Sequence, residues 1–187
     1  MRLIARRTFA SAALALPAAL LSRRAHATVF RGLRLPDLVA QSAHVLFLTG
    51  LDARCLSIQI AGRRSIVTET RVRVDDVVAK AAPGGGELVV RTLGGQLDGV
   101  GELVHGQAEF VRDQPCLAFL TRAPDGSLWV TGMAQGHYPV AADSASPYLL
   151  ASPHLSTLED FEHSAVRALV RQKLPDARRL VLEANSR

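Results

Sequence analysis

From Ser65 to Val78 the chain alternates along its length. Ile66, Thr68, Thr70, Val72, Val74 and Val78 fall on one face, and Glu69, Arg71, Arg73 and Asp75 on the other. A period of two over this length predicts a half-buried antiparallel strand. Ala43 to Leu51 is instead almost continuously apolar, which suits a central strand covered on both faces. With Cys55 to Ile60 and the turn Ala61-Gly62-Arg63-Arg64 it reads as one long bent strand entering a hairpin. Leu88 to Thr92 and the apolar Cys116 to Leu120 predict two further strands. Pro124-Asp125-Gly126 turns the second into Ser127 to Thr131. Between them Gly94, Gly95, Gly99, Gly101 and Gly106 mark a glycine-rich excursion, read as a loop folding over a barrel end. It lacks a Gly-Lys-Ser/Thr ending and opens no helix, so it is neither a phosphate loop nor a dinucleotide fingerprint.

Helical signals lie at the two ends. Leu35 to Gln41 carries Pro36 at a first-turn position, with Leu35, Leu38 and Val39 on one face. Ser156 and Glu159 have capping-box spacing. Leu158, Phe161, Ala165, Ala168 and Leu169 then predict an amphipathic helix to about Lys173, stopped by Pro175. The expected architecture is mainly β: five or six strands in a small closed or half-closed barrel, with a short N-terminal and a C-terminal helix. Residues 28–153 form the β-barrel domain, residues 154–174 the helix on or beside it, and residues 175–187 a loose tail.

The first 27 residues read as an export signal. A basic start, an apolar run from Phe9 to Leu21 and the small residues Ala25 and Ala27 predict cleavage before Thr28. Arg6, Arg7 and Phe9 fit a twin-arginine address, and the expected location is periplasmic or secreted. The apolar run is too short to span a bilayer, so no stable membrane span is expected after processing. This segment changes the meaning of the charge. The whole chain has 22 basic and 17 acidic residues, and five of the arginines lie in the signal, which leaves 17 against 17. A nucleic-acid partner is not expected without a basic excess.

Candidate chemistry is sparse. His44, His105, His137, His154 and His163 show no metal-ligand spacing, and no metal or cofactor is implied. There is no Gly-x-Ser-x-Gly, and Cys116 inside an apolar strand is a poor nucleophile, so no catalytic residue is assigned. Trp129, Gln135, His137 and Tyr138 form a candidate polar-aromatic binding patch on a barrel rim. The competing reading packs Trp129 in the core. Cys55 and Cys116 are open to two readings, a bridge in an oxidising compartment or two free buried thiols. The leading functional expectation is an exported non-enzymatic binding or inhibitory module acting on a protein partner through loop surfaces. The alternatives are a metal-binding protein or enzyme built on residues 93–106, with His105, His137 and the carboxylates Asp98, Glu102 and Glu109, and a structural component of the envelope.

The order of motifs resembles a group of uncharacterised bacterial secreted proteins. The matching pieces are 42–46, 67–70, Arg91-Thr92-Leu93-Gly94-Gly95, Leu117-Ala118-Phe119-Leu120 and Met133-Ala134-Gln135-Gly136. More distantly, the strand order is similar to the OB-fold of the tissue inhibitors of metalloproteinases and netrin-like modules. That resemblance implies an OB-like barrel, a protease among the candidate partners, and Cys55 beside Cys116. The inhibitors' chelation of zinc through an N-terminal cysteine does not carry over, because the processed chain begins at Thr28.

Overall fold

The structure, a computed structural model, describes residues 30–81, 84–141 and 146–186. The export-signal residues Arg6, Arg7 and Phe9 and the cleavage residues Ala25, Ala27 and Thr28 lie outside the described residues. The described chain is mainly β. After β1 (Phe30–Arg31) and α1 (Leu35–Gln41) come β2 (His44–Ile60), β3 (Arg63–Lys80), β4 (Glu87–Leu93), β5 (Gly95–Leu97) and β6 (Val100–Glu102). Then follow β7 (Pro115–Arg122), β8 (Leu128–Val130), a 3-10 turn (Met133–Gly136), β9 (His137–Ala141), β10 (Tyr148–Leu149) and β11 (Leu158–Glu159). Two short helices, α2 (Ala165–Leu169) and α3 (Leu174–Asn185), complete the chain.

One sheet runs β10-β9-β7-β2-β3-β4-β8, and β7 also pairs with β8, so five strands close a ring. The long strand expected from residue 43 onward is β2, and its apolar run is explained by the two layers it separates. Leu46 and Leu48 point into the ring with Cys116, Ala118 and Leu120 of β7 and Val72 of β3. Val45, Leu117 and Phe119 point the other way, into a second core closed by Leu35, Leu38, Val166, Leu169, Ala177 and Val181 of the helices. A strand buried on both faces must be apolar at every position, not at every second one.

The β2–β3 hairpin turns on Ala61 and Gly62, both with positive φ (47° and 78°), the geometry that matches the twist of the flanking strands. Three register shifts, at Val45/Leu46, Phe47/Leu48 and Gly50/Asp52, bend β2 around the ring. The polar face of β3 forms cross-strand ladders. Arg54, Glu69 and Arg91 stand opposite one another on three strands. The Glu69 carboxylate is nearly enclosed and accepts from Arg54 Nη2 at 2.8 Å and Arg91 Nε at 2.9 Å. These guanidiniums, Arg54 first, hold its carboxyl below the usual range against the opposing effect of burial.

Two expectations are corrected, and one open alternative is decided. The capping box at Ser156 and Glu159 does not start a helix: Leu158 and Glu159 instead pair in parallel with Phe30 and Arg31. Ser164 caps α2, its Oγ accepting from the Arg167 N–H at 3.2 Å. Pro175 starts α3 rather than stopping its predecessor, and the expected loose tail is a helix whose Ala177 and Val181 are fully buried. Proline in a first turn loses no intrahelical hydrogen bond, so the same residue is read equally well as a stop or a start. Finally, Cys55 and Cys116 are both free. The strands do neighbour one another, but Cys116 stands opposite Leu48, and Cys55 lies seven residues further along β2. At about 3.3 Å per residue that is roughly 20 Å, far beyond a bridge.

Candidate functional site

Pairing of β2 with β7 ends at Thr49 and Pro115, whereas β2, β3 and β4 continue as a three-stranded floor. Over this floor lies a cleft of about 520 Å3. Its base is Ala53 of β2, Thr68 and Thr70 of β3 and Thr92 of β4. These residues share the ring-facing side, Ala53 opposite Thr70 and Thr68 opposite Thr92. One wall is Leu103 to Phe110, and the other is Pro153 to Ser156.

Each wall is fixed by identifiable contacts. Before the first wall, the excursion folds into the β5–β6 hairpin, with Asp98 and Gly99 both at positive φ in its turn. An Asp-Gly pair is the strongest short-range hairpin signal, and reading the whole excursion as one loop missed it. The hairpin can lie on the floor only because Gly95 has no side chain. A Cβ there, at φ +135°, would stand 2.6 Å from Cys55 Sγ and 2.7 Å from Thr68 Oγ1. Glu102 returns to the floor, its Oε2 accepting from the Ile66 N–H at 2.6 Å. The wall ends in Ala108 and Phe110, which plug the ring. At this crossing the Val111 carbonyl leaves no room for a Cβ on Gly50.

The threonine floor carries the polar chemistry. Thr68 Oγ1 donates to the Gly94 carbonyl at 2.8 Å. Thr70 and Thr92 are 3% and 6% exposed, and neither side chain has a hydrogen-bond partner among the described residues. The walls add His105, Gln107, Ser156 and a pair between Glu109 and His154, Oε2 to Nε2 at 2.7 Å. Among the described residues no lysine or arginine lines the cleft.

The expected patch of Trp129, Gln135, His137 and Tyr138 is not an exposed rim. Gln135 is buried and clamps the N-terminal segment, Oε1 accepting from the Leu33 N–H at 2.8 Å and Nε2 donating to the Arg31 carbonyl at 3.1 Å. Consecutive residues of a strand face opposite ways, so His137 and Tyr138 enter different layers. Tyr138 is fully buried among the helices, edge-on to Phe119, with its hydroxyl unpartnered. Trp129 is half-buried, its Nε1 donating to Ser127 Oγ at 2.8 Å.

His137 sits behind the cleft. It is 2% exposed, packs edge-on against Phe110 at 4.9 Å and lies 3.4 Å from Ser152 Oγ. Burial, with a smaller contribution from His154, lowers its pKa to about 4. It therefore braces both walls as a neutral ring. His105 lines the cleft itself, while Asp98 lies by a separate groove of about 520 Å3 between the two hairpins. Among the described residues no three His, Cys, Asp or Glu side chains are gathered for a metal ion. Burial pushes the Cys116 thiol far up, away from thiolate chemistry. Among the described residues no helix is long and apolar enough to cross a membrane.

No protein-family model matches the chain, and no curated protein or solved structure matches it either.

Proposed function

We propose that this chain is an exported, non-enzymatic binding module that engages a protein partner through the loop-walled cleft at the ring mouth. One observation carries the reading: the hydroxyls of Thr70 and Thr92, on the floor of the cleft, have no hydrogen-bond partner among the described residues and open into the cleft. Such hydroxyls are free to donate to or accept from a bound ligand, and each hydrogen bond so made contributes about 0.5–1.5 kcal/mol. The fold reading that goes with it is an OB-like barrel. Taking β2, β3, β4, β7 and β8 as strands one to five, the first pairs with the second and fourth, and the third runs parallel to the fifth. That closure supports a five-stranded barrel of OB type. The export signal supports a periplasmic or secreted location, where the partner would be met.

The test is affinity capture from envelope and secreted fractions with immobilised full chain and with Ala53→Trp, which fills the cleft mouth from an exposed position. The expected result is one or a few proteins enriched by the wild type and lost with the variant. Equal capture by both forms would place binding elsewhere.

A further inference from the structure

We infer that the cleft takes the cationic side chain, lysine or arginine, of an extended partner segment that adds as a strand to the open edge of β2. This rests on the reading of the cleft as the binding surface and names its ligand.

The edge comes first. On the side away from β3, β2 pairs with β7 only from His44 to Thr49, and Gly50 is taken by Arg112 to Gln114. Among the described residues, no strand pairs with Leu51 to Ile60 on that side. A strand edge of this length presents a row of backbone donors and acceptors to any extended chain. A second groove of about 240 Å3, lined by Leu51, Asp52, Ala53, Thr70, Phe110 and Arg112, joins this edge to the cleft. The two cavities share Ala53, Thr70 and Phe110.

The side chain follows from the pleat. A residue added opposite Ala53 stands on the same face as Ala53 and Thr70, because directly opposed residues in a sheet share a face. Two strand spacings, about 10 Å, separate its backbone from that of Thr70. Only a long side chain bridges that gap, and the methyl of Ala53 leaves it room. What it meets there is acceptor-rich: the free hydroxyls of Thr70 and Thr92, and the carboxylates of Glu102 and Glu109. Among the described residues no lysine or arginine lines the cleft itself, Arg112 lying only in the joining groove, so an ammonium or guanidinium finds charge-assisted acceptors there while an anion meets the carboxylates as like charge.

The test titrates the full chain with short blocked peptides that differ only at a central residue: lysine, arginine, norleucine or glutamate. Affinity is read by calorimetry, and position by the NMR signals of the threonine methyl groups. The expected result is lysine and arginine peptides binding about tenfold or more tighter than norleucine, with glutamate weakest and shifts at Thr70 and Thr92. Glu109→Gln should lower lysine affinity severalfold and leave norleucine unchanged, and Ala53→Trp should abolish binding of all four. Norleucine or glutamate binding as tightly as lysine, with shifts at the threonines, would overturn the cationic ligand and leave the cleft as the binding surface. Shifts confined to another face, or none with any peptide, would overturn the inference; capture by Ala53→Trp in the preceding test then decides the cleft separately.

Discussion

Acid should loosen this protein through His137. The ring is buried between Phe110 and Ser152 and stays neutral because a charge there loses its hydration. Its pKa falls from 6.5 to about 4 on folding. In the unfolded chain the imidazole binds a proton below about pH 6.5, and in the folded chain it resists until about pH 4. The stability it contributes is thus fully present above 6.5, lost as pH falls through that interval, and constant below it. Each pKa unit is about 1.4 kcal/mol, so the whole loss is about 3 kcal/mol. Urea unfolding of the wild type and of His137→Gln, from about pH 7.5 to about pH 4, isolates this effect. The variant starts lower at neutral pH by about 1–2 kcal/mol, through lost packing on Phe110. The two curves should then converge, and cross at the acid end, as the wild type alone pays for protonation. Carboxylates such as Glu69, held below their ordinary range, also lose stability in acid, but they do so in both proteins. Parallel curves over this interval would refute the reasoning and mean that the ring already reaches water.

Other consequences follow from single contacts. Glu69→Ala should cost about 2–4 kcal/mol by chemical denaturation, because two arginines lose a buried partner. A double-mutant cycle should assign less than about 1 kcal/mol to Arg54, which is 79% exposed, and more to Arg91, at 23%; the reverse ranking would count against burial as the deciding factor. Tyr138→Phe should raise stability by about 1 kcal/mol, since the hydroxyl it removes is buried and unpaired, and a clear loss would mean the hydroxyl has a partner. Gly50→Ala should cost about 1–3 kcal/mol by forcing the Val111 carbonyl off β2; an unchanged midpoint would mean that the crossing segment gives way freely. In the native, unreduced chain an alkylating reagent should label half-buried Cys55 and reach Cys116 only on unfolding, and a mass two hydrogens light would reveal the bridge that the geometry forbids.

How much of this was legible in the sequence depends on how local each signal is. The strands β2, β3, β4 and β7 follow from apolar runs and alternation, and α1 from its proline and apolar face, because each pattern spans several residues of one element. The C-terminal third was misread where one residue type serves two roles. Pro175 reads as a stop and is a first-turn proline, and Ser156 has capping-box spacing but lies beside a strand pair that only the distant Phe30 supplies. The cysteine separation turned on register, which the sequence does not carry: neighbouring strands were expected, but not that Cys116 would stand opposite Leu48.

The cleft was illegible for a more general reason. Its floor is threonine, a residue whose β-branch suits any strand, so Thr68, Thr70 and Thr92 read as ordinary members of an inward face. Nothing in that alternation says that the ring closes around Val72 and Val90 while the next positions outward line a cleft. The distinction arises where the pairing of β7 with β2 stops at Pro115 while β2 and β3 run on toward Ile60 and Arg63. The same stop exposes the edge of β2, so the floor and the edge have one cause. A strand added to that edge would continue the floor by one strand, beside the two hydroxyls that lack partners. By contrast, Gln135, His137 and Tyr138 are conspicuous as polar and aromatic residues around Gly136, and those side chains are what the fold uses to clamp its N-terminal segment, brace the cleft walls and fill the helical core. In this five-stranded ring the conspicuous polar residues are used inside, and the plain threonines lie at the interrupted end of the strands.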